Sequence, residues 1–351
     1  MKTVLKILLC TVLALLLLVC ALVVWLSAAE YKPAAVEDAS VEGIPGSGAL
    51  KAGQTLDIVT WNIGYCGLGA GSDFFMDGGK GVQSADEATV ERYLSGISDY
   101  LYGGKQADLI MLQEVDVDSQ RSYGINEAER LSAGNSVHAL NYSCPFVPFP
   151  WPPIGRVNSG LFTTTGLQID SAERISLPCP FSWPVSAANL KRCLLVSYLP
   201  IEGSDKQLVL VNLHLEAYDD GEGKIAQTKQ LRDFIESEYE KGNYVIAGGD
   251  FNQVFPGTYD VYPNTHADIW TPGALDGSFL PEGWSYAYDS AVPTCRLLNQ
   301  PYDPSDTADT QYYVIDGFIL SPNVELGSVR SIDLGFESSD HNPVRINVTL
   351  K

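Results

Sequence analysis

From Ile7 to Leu26 the chain is apolar almost without a break and carries no charge. At a rise of ~1.5 Å per residue, such a run forms a helix that just crosses a ~30 Å hydrocarbon core. Lys2 and Lys6 precede it, so the positive-inside rule places the rest of the protein outside the cytoplasm. The run exceeds an ordinary signal-peptide core, which favours an uncleaved anchor over cleavage at Ser27-Ala28-Ala29. Cys20 invites a lipoprotein reading, but the bulky Val19 before it fits that processing poorly. Cys10 and Cys20 therefore read as apolar helix positions. Residues 1–27 are expected to be a single-pass membrane anchor with the body extracytoplasmic; cleavage would make the protein secreted.

Residues 28–54 are rich in Ala, Gly, Pro and Glu and lack periodicity. They read as a flexible tether. No internal repeat follows, and 55–351 is expected to form one folded domain, long enough at 45% hydrophobic residues for a large core.

Leu56-Asp57-Ile58-Val59-Thr60-Trp61 alternates and is rich in β-formers, which predicts a strand. Ser84-Ala85-Asp86-Glu87 reads as a capping box. Val90, Tyr93, Leu94, Ile97 and Leu101 then recur at helical spacing. The run 109–112 reads as a buried strand. A second helix is expected over 224–239, with Ile225, Leu231, Phe234 and Ile235 facing inward. Further strands are expected at 161–164, 194–198, 208–213, 244–247, 313–320 and 344–348. The stretches 144–153 and 303–310 read as loops. Many strands with a few intervening helices define a mixed α/β domain.

Five cysteines follow the apolar run: Cys66, Cys144, Cys179, Cys193 and Cys295. Five cannot all pair within the chain, and Cys179 with Cys193 is a candidate bridge. No C-x-x-C spacing occurs, which argues against a thiolate zinc site.

Chemistry gathers at the predicted strand ends. Asn62 follows Thr60-Trp61, Glu114 follows Leu112-Gln113, and Asn158 precedes Leu161. His214 follows Val211-Asn212-Leu213, while Asp250 and Asn252 follow Ala247-Gly248-Gly249. Asp316 follows Val314-Ile315, and Asp340-His341 stands just before the last strand. Strand ends are where a rigid scaffold displays catalytic groups. Hard oxygen donors with two imidazoles suit Mg²⁺ or Mn²⁺ and a phosphate substrate. Each motif alone has an ordinary explanation: a turn, a strand terminator or a half-buried histidine. His138 and His266 have no motif and read as structural or exposed. The Gly-rich stretch 64–81 lacks a P-loop ending; it reads as a mobile loop beside the site or as a plain surface loop.

Taken in order, these motifs resemble the endonuclease/exonuclease/phosphatase superfamily. They are Thr60-Trp61-Asn62-Ile63, Leu112-Gln113-Glu114-Val115, Asn158-Ser159-Gly160, Asn212-Leu213-His214-Leu215, Gly249-Asp250-Phe251-Asn252, Ile315-Asp316-Gly317-Phe318 and Ser339-Asp340-His341-Asn342-Pro343-Val344. The resemblance implies a four-layer sandwich, in which two packed, mostly antiparallel sheets are flanked by helices. It also implies Mg²⁺, with Mn²⁺ as the alternative, held by Glu114 with Asn62 and Asp340 in or around the shell. Asp250 would orient or deprotonate the attacking water. Asn252, Asn158 and His214 would contact the phosphate. His341, oriented by Asp316, would act beside the phosphorus as base or as electrostatic donor.

The chain is strongly acidic, with 22 Lys and Arg against 43 Asp and Glu and a net charge of −21. That balance disfavours a long polyphosphate track, which needs cations to displace counterions. The expected activity is therefore a phosphodiesterase or phosphatase acting on a lipid headgroup or another small phosphoester. The alternatives are a surface-anchored nuclease and, in another class, an inactive binding module on the same fold. The expected partners are the phosphoester and the membrane; oligomeric state is not encoded legibly.

Overall fold

The structure, a computed structural model, describes residues 1–351 apart from 44–47, 84, 220, 267, 306 and 308. The apolar run lies in a helix, α1 (Lys2–Ala28), exposed from Met1 to Ala21 and apolar enough to cross a membrane.

Within the two large sheets, two pairs of neighbouring strands run parallel: Thr55–Asn62 with Leu109–Asp116, and Gln207–His214 with Tyr244–Asp250. Parallel neighbours cannot be joined by a tight turn and need a crossover, usually helical. The first crossover carries α2 (Glu87–Tyr102). A short helix, α3 (Glu127–Arg130), follows, and the second crossover carries α4 (Glu222–Glu240). Each parallel pair lies inside its own seven-stranded sheet, and the other pairings in both sheets are antiparallel.

Alternation along the strands decides the layering. Leu56, Ile58 and Met111 of one sheet meet Leu195, Leu208, Leu210, Ile246 and Phe318 of the other in the central core. Their outward neighbours Val59, Trp61, Ile110 and Leu112 receive Val90, Tyr93, Leu94 and Ile97 of α2. On the far side Val209, Val211, Val245 and Ala247 receive Leu231 and Ile235 of α4. Helix, sheet, sheet, helix is the four-layer sandwich that the resemblance implies.

All five apolar residues predicted for the inner face of α2 are buried. Its start differs from expectation. Ser84 lies outside the described residues, and the N-cap is Asp86, whose carboxylate accepts from the Thr89 N–H at 2.8 Å. In α4, Leu231 and Ile235 are buried and Phe234 is partly so, but Ile225 is 70% exposed. Six residues at ~100° each put Ile225 about 120° around the helix from Leu231, and nine put it about 180° from Phe234, off the packed face.

Other departures occur at the sheet edges. Cys144 is not in a loop: a strand runs from Asn135 to Val147. The expected strand 313–320 is divided, with Tyr312–Tyr313 pairing Cys295–Arg296 and Asp316–Leu320 joining the main sheet. The segment expected to be a tether carries Val36–Asp38, paired to Ser171–Ser176 of one sheet, and Val41–Glu42, paired to Asn135–Val147 of the other. All seven cysteines are free, with Cys193 buried in the central core and Cys179 exposed, so the candidate bridge is not formed.

Candidate active site

Both parallel pairs end at the same end of the sandwich. Asn62 is in register with Gln113 in one sheet, and His214 with Asp250 in the other. Asp316 is the antiparallel partner of Asp250. His214, Asp250 and Asp316 therefore form one cross-strand row, with side chains on one face.

Local backbone strain aims several of these groups. The pairing of Leu109–Asp116 with Gly155–Thr165 is irregular between Leu112 and Val115, and within that bulge Glu114 has φ +55°. A bulge re-aims a side chain, and here it turns Glu114 toward Asn62. Asn252 also sits at φ +49°. Such left-handed conformations in non-glycine residues cost energy and cluster at functional sites. Gly249 has φ +146°, and a Cβ there would come within 1.9 Å of the Leu213 carbonyl oxygen. Only glycine lets the chain turn into Asp250 at this distance from its parallel neighbour.

Asp250 is the hub. Its Oδ2 accepts from Asn62 Nδ2 at 3.0 Å and its Oδ1 from the Asn252 N–H at 2.8 Å. His214 Nε2 lies 3.4 Å and His341 Nε2 3.8 Å from Oδ2. His341 Nδ1 donates to Asp316 Oδ2 at 2.8 Å, which orients the ring, and its Nε2 is 3.9 Å from Asp340 Oδ2. Trp61 Nε1 holds the His341 carbonyl at 2.8 Å, and Ser339 Oγ ties the same loop to the Asn62 carbonyl at 2.7 Å. The gap around His341 Nε2 is too long for a hydrogen bond, yet one substrate oxygen could span it.

Asn62 donates through Nδ2 to Glu114 Oε1 at 3.2 Å as well as to Asp250, while its Oδ1 accepts from the Gly64 N–H. Its amide thus orients both carboxylates through Nδ2, while Oδ1 keeps one lone pair beyond the Gly64 bond. Asn252 Nδ2 donates to the Leu215 carbonyl at 2.9 Å, which leaves one N–H for a ligand. Asn158 Oδ1 accepts from Ser143 Oγ at 2.9 Å, and its backbone bonds Ser119 Oγ and the Val117 N–H.

Burial and crowded charge set the protonation states. Burial, joined by the charge of Asp316, pushes the Asp250 carboxyl up to about 6. Burial, joined by Glu114, pushes Asp340 up to about 7. Burial works against charge on His341, but Asp316, Cys295 and Asp340 outweigh it, so its pKa is raised well above the usual value. His214 goes the other way: burial, then Arg192 and His341, hold it neutral. The site thus contains one charged and one neutral imidazole on either side of a carboxylate.

Glu114 and Asp340 have no Lys or Arg partner among the ion pairs of the described residues. Two neighbouring carboxylates, one of them buried and raised by the other's charge, make a hard-oxygen set suited to Mg²⁺ or Mn²⁺. Asp250, Asp316 and His341 also bring ligand atoms within 4.8 Å of one another, as do Cys295, Asp340 and His341. The Nδ1–Asp316 hydrogen bond makes the first group an oriented imidazole rather than a cation cage.

Several supporting residues carry no motif. Tyr218 Oη donates to Asp77 Oδ1 at 2.8 Å at the rim, and burial pushes the Asp77 carboxyl up to about 6. Arg121 stacks 3.6 Å over the Tyr65 ring and binds Asp116 through two N–H groups, bracing the strand that carries Glu114. The Gly-rich stretch is packed: Tyr65, Cys66 and Leu68 are buried, and it walls the site. His138 is half-buried against the Val115 carbonyl, and the His266 ring bonds neighbouring Thr265 while its backbone bonds Asn264 and Ile269. Asn212, whose role the motif did not reveal, locks the two sheets together. It accepts from Gln113 Nε2 at 2.8 Å and donates to the Leu112 and Phe162 carbonyls. Asn212→Ala removes these buried hydrogen bonds between the sheets, and chemical denaturation is expected to show a loss of about 3 kcal/mol.

This end-of-sandwich arrangement is the fold of endonuclease/exonuclease/phosphatase proteins. Among solved structures, the chain is similar to the endonuclease/exonuclease/phosphatase from Beutenbergia cavernae at 17% identity, with 85% of this chain and 72% of that one covered and a TM-score of 0.55. It is similar to the protein of that description from Bacteroides vulgatus at 15% identity, with 85% and 100% covered and a TM-score of 0.52. ANGEL2, a 2′,3′-cyclic phosphatase, matches at 15% identity, 89% and 98% coverage and a TM-score of 0.52. No family model and no curated protein matches the sequence.

Proposed function

We propose that this chain is a metal-dependent phosphoesterase acting outside the cytoplasm on a lipid headgroup or another small phosphoester. The observation that carries the reading is the convergence of His214 Nε2 and His341 Nε2 on Asp250 Oδ2, at 3.4 and 3.8 Å, with Asp340 beside His341 and Glu114 held by the Asn62 amide that also bonds Asp250.

Asp250, with its carboxyl at about 6, is ionised at neutral pH yet basic enough to orient a water and accept its proton. His341 Nε2–H faces the same space, and Asp316 fixes its tautomer and charge, so it donates to oxygen that gains negative charge. His214 and the remaining Asn252 N–H are placed to hold a phosphoryl oxygen. Glu114 and Asp340 would hold Mg²⁺ or Mn²⁺, with Asn62 fixing Glu114 from behind. When bound, the cation neutralises phosphate charge and polarises the phosphoryl group. The proposed small-substrate preference is supported by the excess of 43 acidic over 22 basic residues.

The test is hydrolysis by the full chain with Mg²⁺ or Mn²⁺. The panel holds bis(p-nitrophenyl) phosphate, phospholipids including sphingomyelin, inositol phosphates, and single- and double-stranded nucleic acid. Activity abolished by EDTA, with a lipid or small phosphoester preferred, is expected. Preference for nucleic acid would replace the substrate class with that of a surface nuclease. A folded, metal-loaded protein that cleaves nothing would favour the inactive binding module.

A further inference from the structure

Helix α1 does not separate cleanly from the domain. Leu22 and Leu26 pack with Cys144, Val147 and Val157 of the hairpin formed by Asn135–Val147 and Gly155–Thr165, and with Ala187. Trp183 Nε1 donates to Ser27 Oγ at 2.9 Å, and Lys191 pairs with Glu30 at 3.0 Å. Leu22 lies about 6 Å further down the helix than Leu26. A hairpin that touches both residues therefore reaches past the end of the apolar run.

What the surface carries there is unusual for a water-facing domain. Phe149 is 69% exposed, Trp151 87%, Trp183 64% and Val185 57%. The surrounding sequence has no Asp, Glu, Lys or Arg between Leu131 and Gly155, or between Ile175 and Leu190, in a chain of net charge −21. Phe149 also makes an edge-on contact with Phe75 at 6.0 Å. Phe75 lies in the Gly-rich wall two residues from Asp77, whose buried carboxyl feels the charge of Glu114, so the patch adjoins the wall of the site.

We propose that residues 148–154, with Trp183 and Val185, form a platform seated in the headgroup layer of the bilayer that α1 crosses. The platform holds the site mouth against that surface, and lipid phosphoesters are the substrates it presents; for that last part the inference rests on the phosphoesterase reading. Three observations commit the patch to a bilayer. Ser27, at the end of a run that just spans the hydrocarbon, fixes Trp183 at interface level, where indole rings are favoured. Trp183 bonds the helix end, and the loop carrying Phe149 and Trp151 is held between Val147 and Ile154, which pack in the apolar cluster of Leu22 and Leu26. The absence of charge spares the acidic domain a cost of approach to headgroups.

The experiment uses the full chain in phosphatidylcholine nanodiscs, with and without lipid carrying a doxyl quencher near the headgroup. Subtracting the emission of Trp151→Phe or Trp183→Phe from that of the wild type isolates each indole. Both isolated signals are expected to fall with doxyl lipid and to resist iodide in the water. Signals indifferent to doxyl lipid and quenched by iodide would overturn the proposal. Signals shielded from both, with two chains per disc, would overturn it in favour of a second copy on the patch. A Phe149→Ser/Trp151→Ser variant should cleave bis(p-nitrophenyl) phosphate like the wild type but cleave bilayer phospholipid about tenfold more slowly. Equal loss on both substrates would refute a docking role. A wild type that cleaves neither removes the phosphoesterase reading and leaves the quenching result to decide the platform.

Discussion

Asp250→Asn is expected to lower kcat for bis(p-nitrophenyl) phosphate by about 10²- to 10⁴-fold while the folded structure persists. Both carboxylate oxygens accept from N–H donors, Oδ2 from Asn62 and Oδ1 from the Asn252 backbone. An amide offers one acceptor and one donor, so either rotamer sets an N–H against an N–H. The substitution also removes the proton acceptor and the negative charge that faces His341 Nε2. Circular dichroism and a single cooperative melt establish folding, and the rate then reads the site alone. A variant within a few-fold of wild-type kcat would remove Asp250 from the chemistry.

Glu114→Gln is expected to abolish both metal-dependent turnover and the stabilisation that Mg²⁺ or Mn²⁺ gives the wild type. The sign follows from the carboxyls. Asp340 and Asp250 are raised to about 7 and about 6 in the fold, above their ordinary values near 4. Their protonated forms stabilise the fold at low pH, and that contribution is lost as pH rises from ~4 through ~7. A bound cation offsets the repulsion, so added Mg²⁺ should raise Tm at pH 8 and do little at pH 5. In Glu114→Gln the metal-free Tm at pH 8 should be higher than that of the wild type, because one source of repulsion at Asp340 is gone. The metal-induced rise should vanish. Equal metal-induced shifts in wild type and variant would place the cation elsewhere.

The sequence made the central strands and α2 legible because their burial is one-sided and their residues alternate at the matching period. It hid the edges. The strand Asn135–Val147 contains Pro145, which breaks a strand pattern, but its partner Val41–Glu42 reaches only Ser136 and Val137, so Pro145 faces an open edge. The strand Val324–Ser331 is exposed at most positions and gives no alternation to detect. Ile225 misled because an apolar residue in a helix need not face inward.

The site was legible as a set of residue types at strand ends, and direct contacts link Asn62, Glu114, His214, Asp250, Asn252, Asp316, Asp340 and His341. What the motifs could not carry was geometry. The positive φ of Glu114, the Gly249 close approach and the choice of Asn62 Nδ2 over Oδ1 as the face toward the carboxylates are backbone and hydrogen-bond facts. Asp77, Tyr218 and Arg121 arrive from loops with no local pattern.

The short strands Val36–Asp38 and Val41–Glu42 stitch the chain between helix and domain to the adjacent edges of the two sheets. Where α1 stands in a bilayer, that stitching turns a leash into a bracket. The domain then has a fixed altitude and heading above its own membrane. Its hunting ground is two-dimensional: it meets molecules that diffuse within the leaflet beneath it and does not stretch toward a surface opposite.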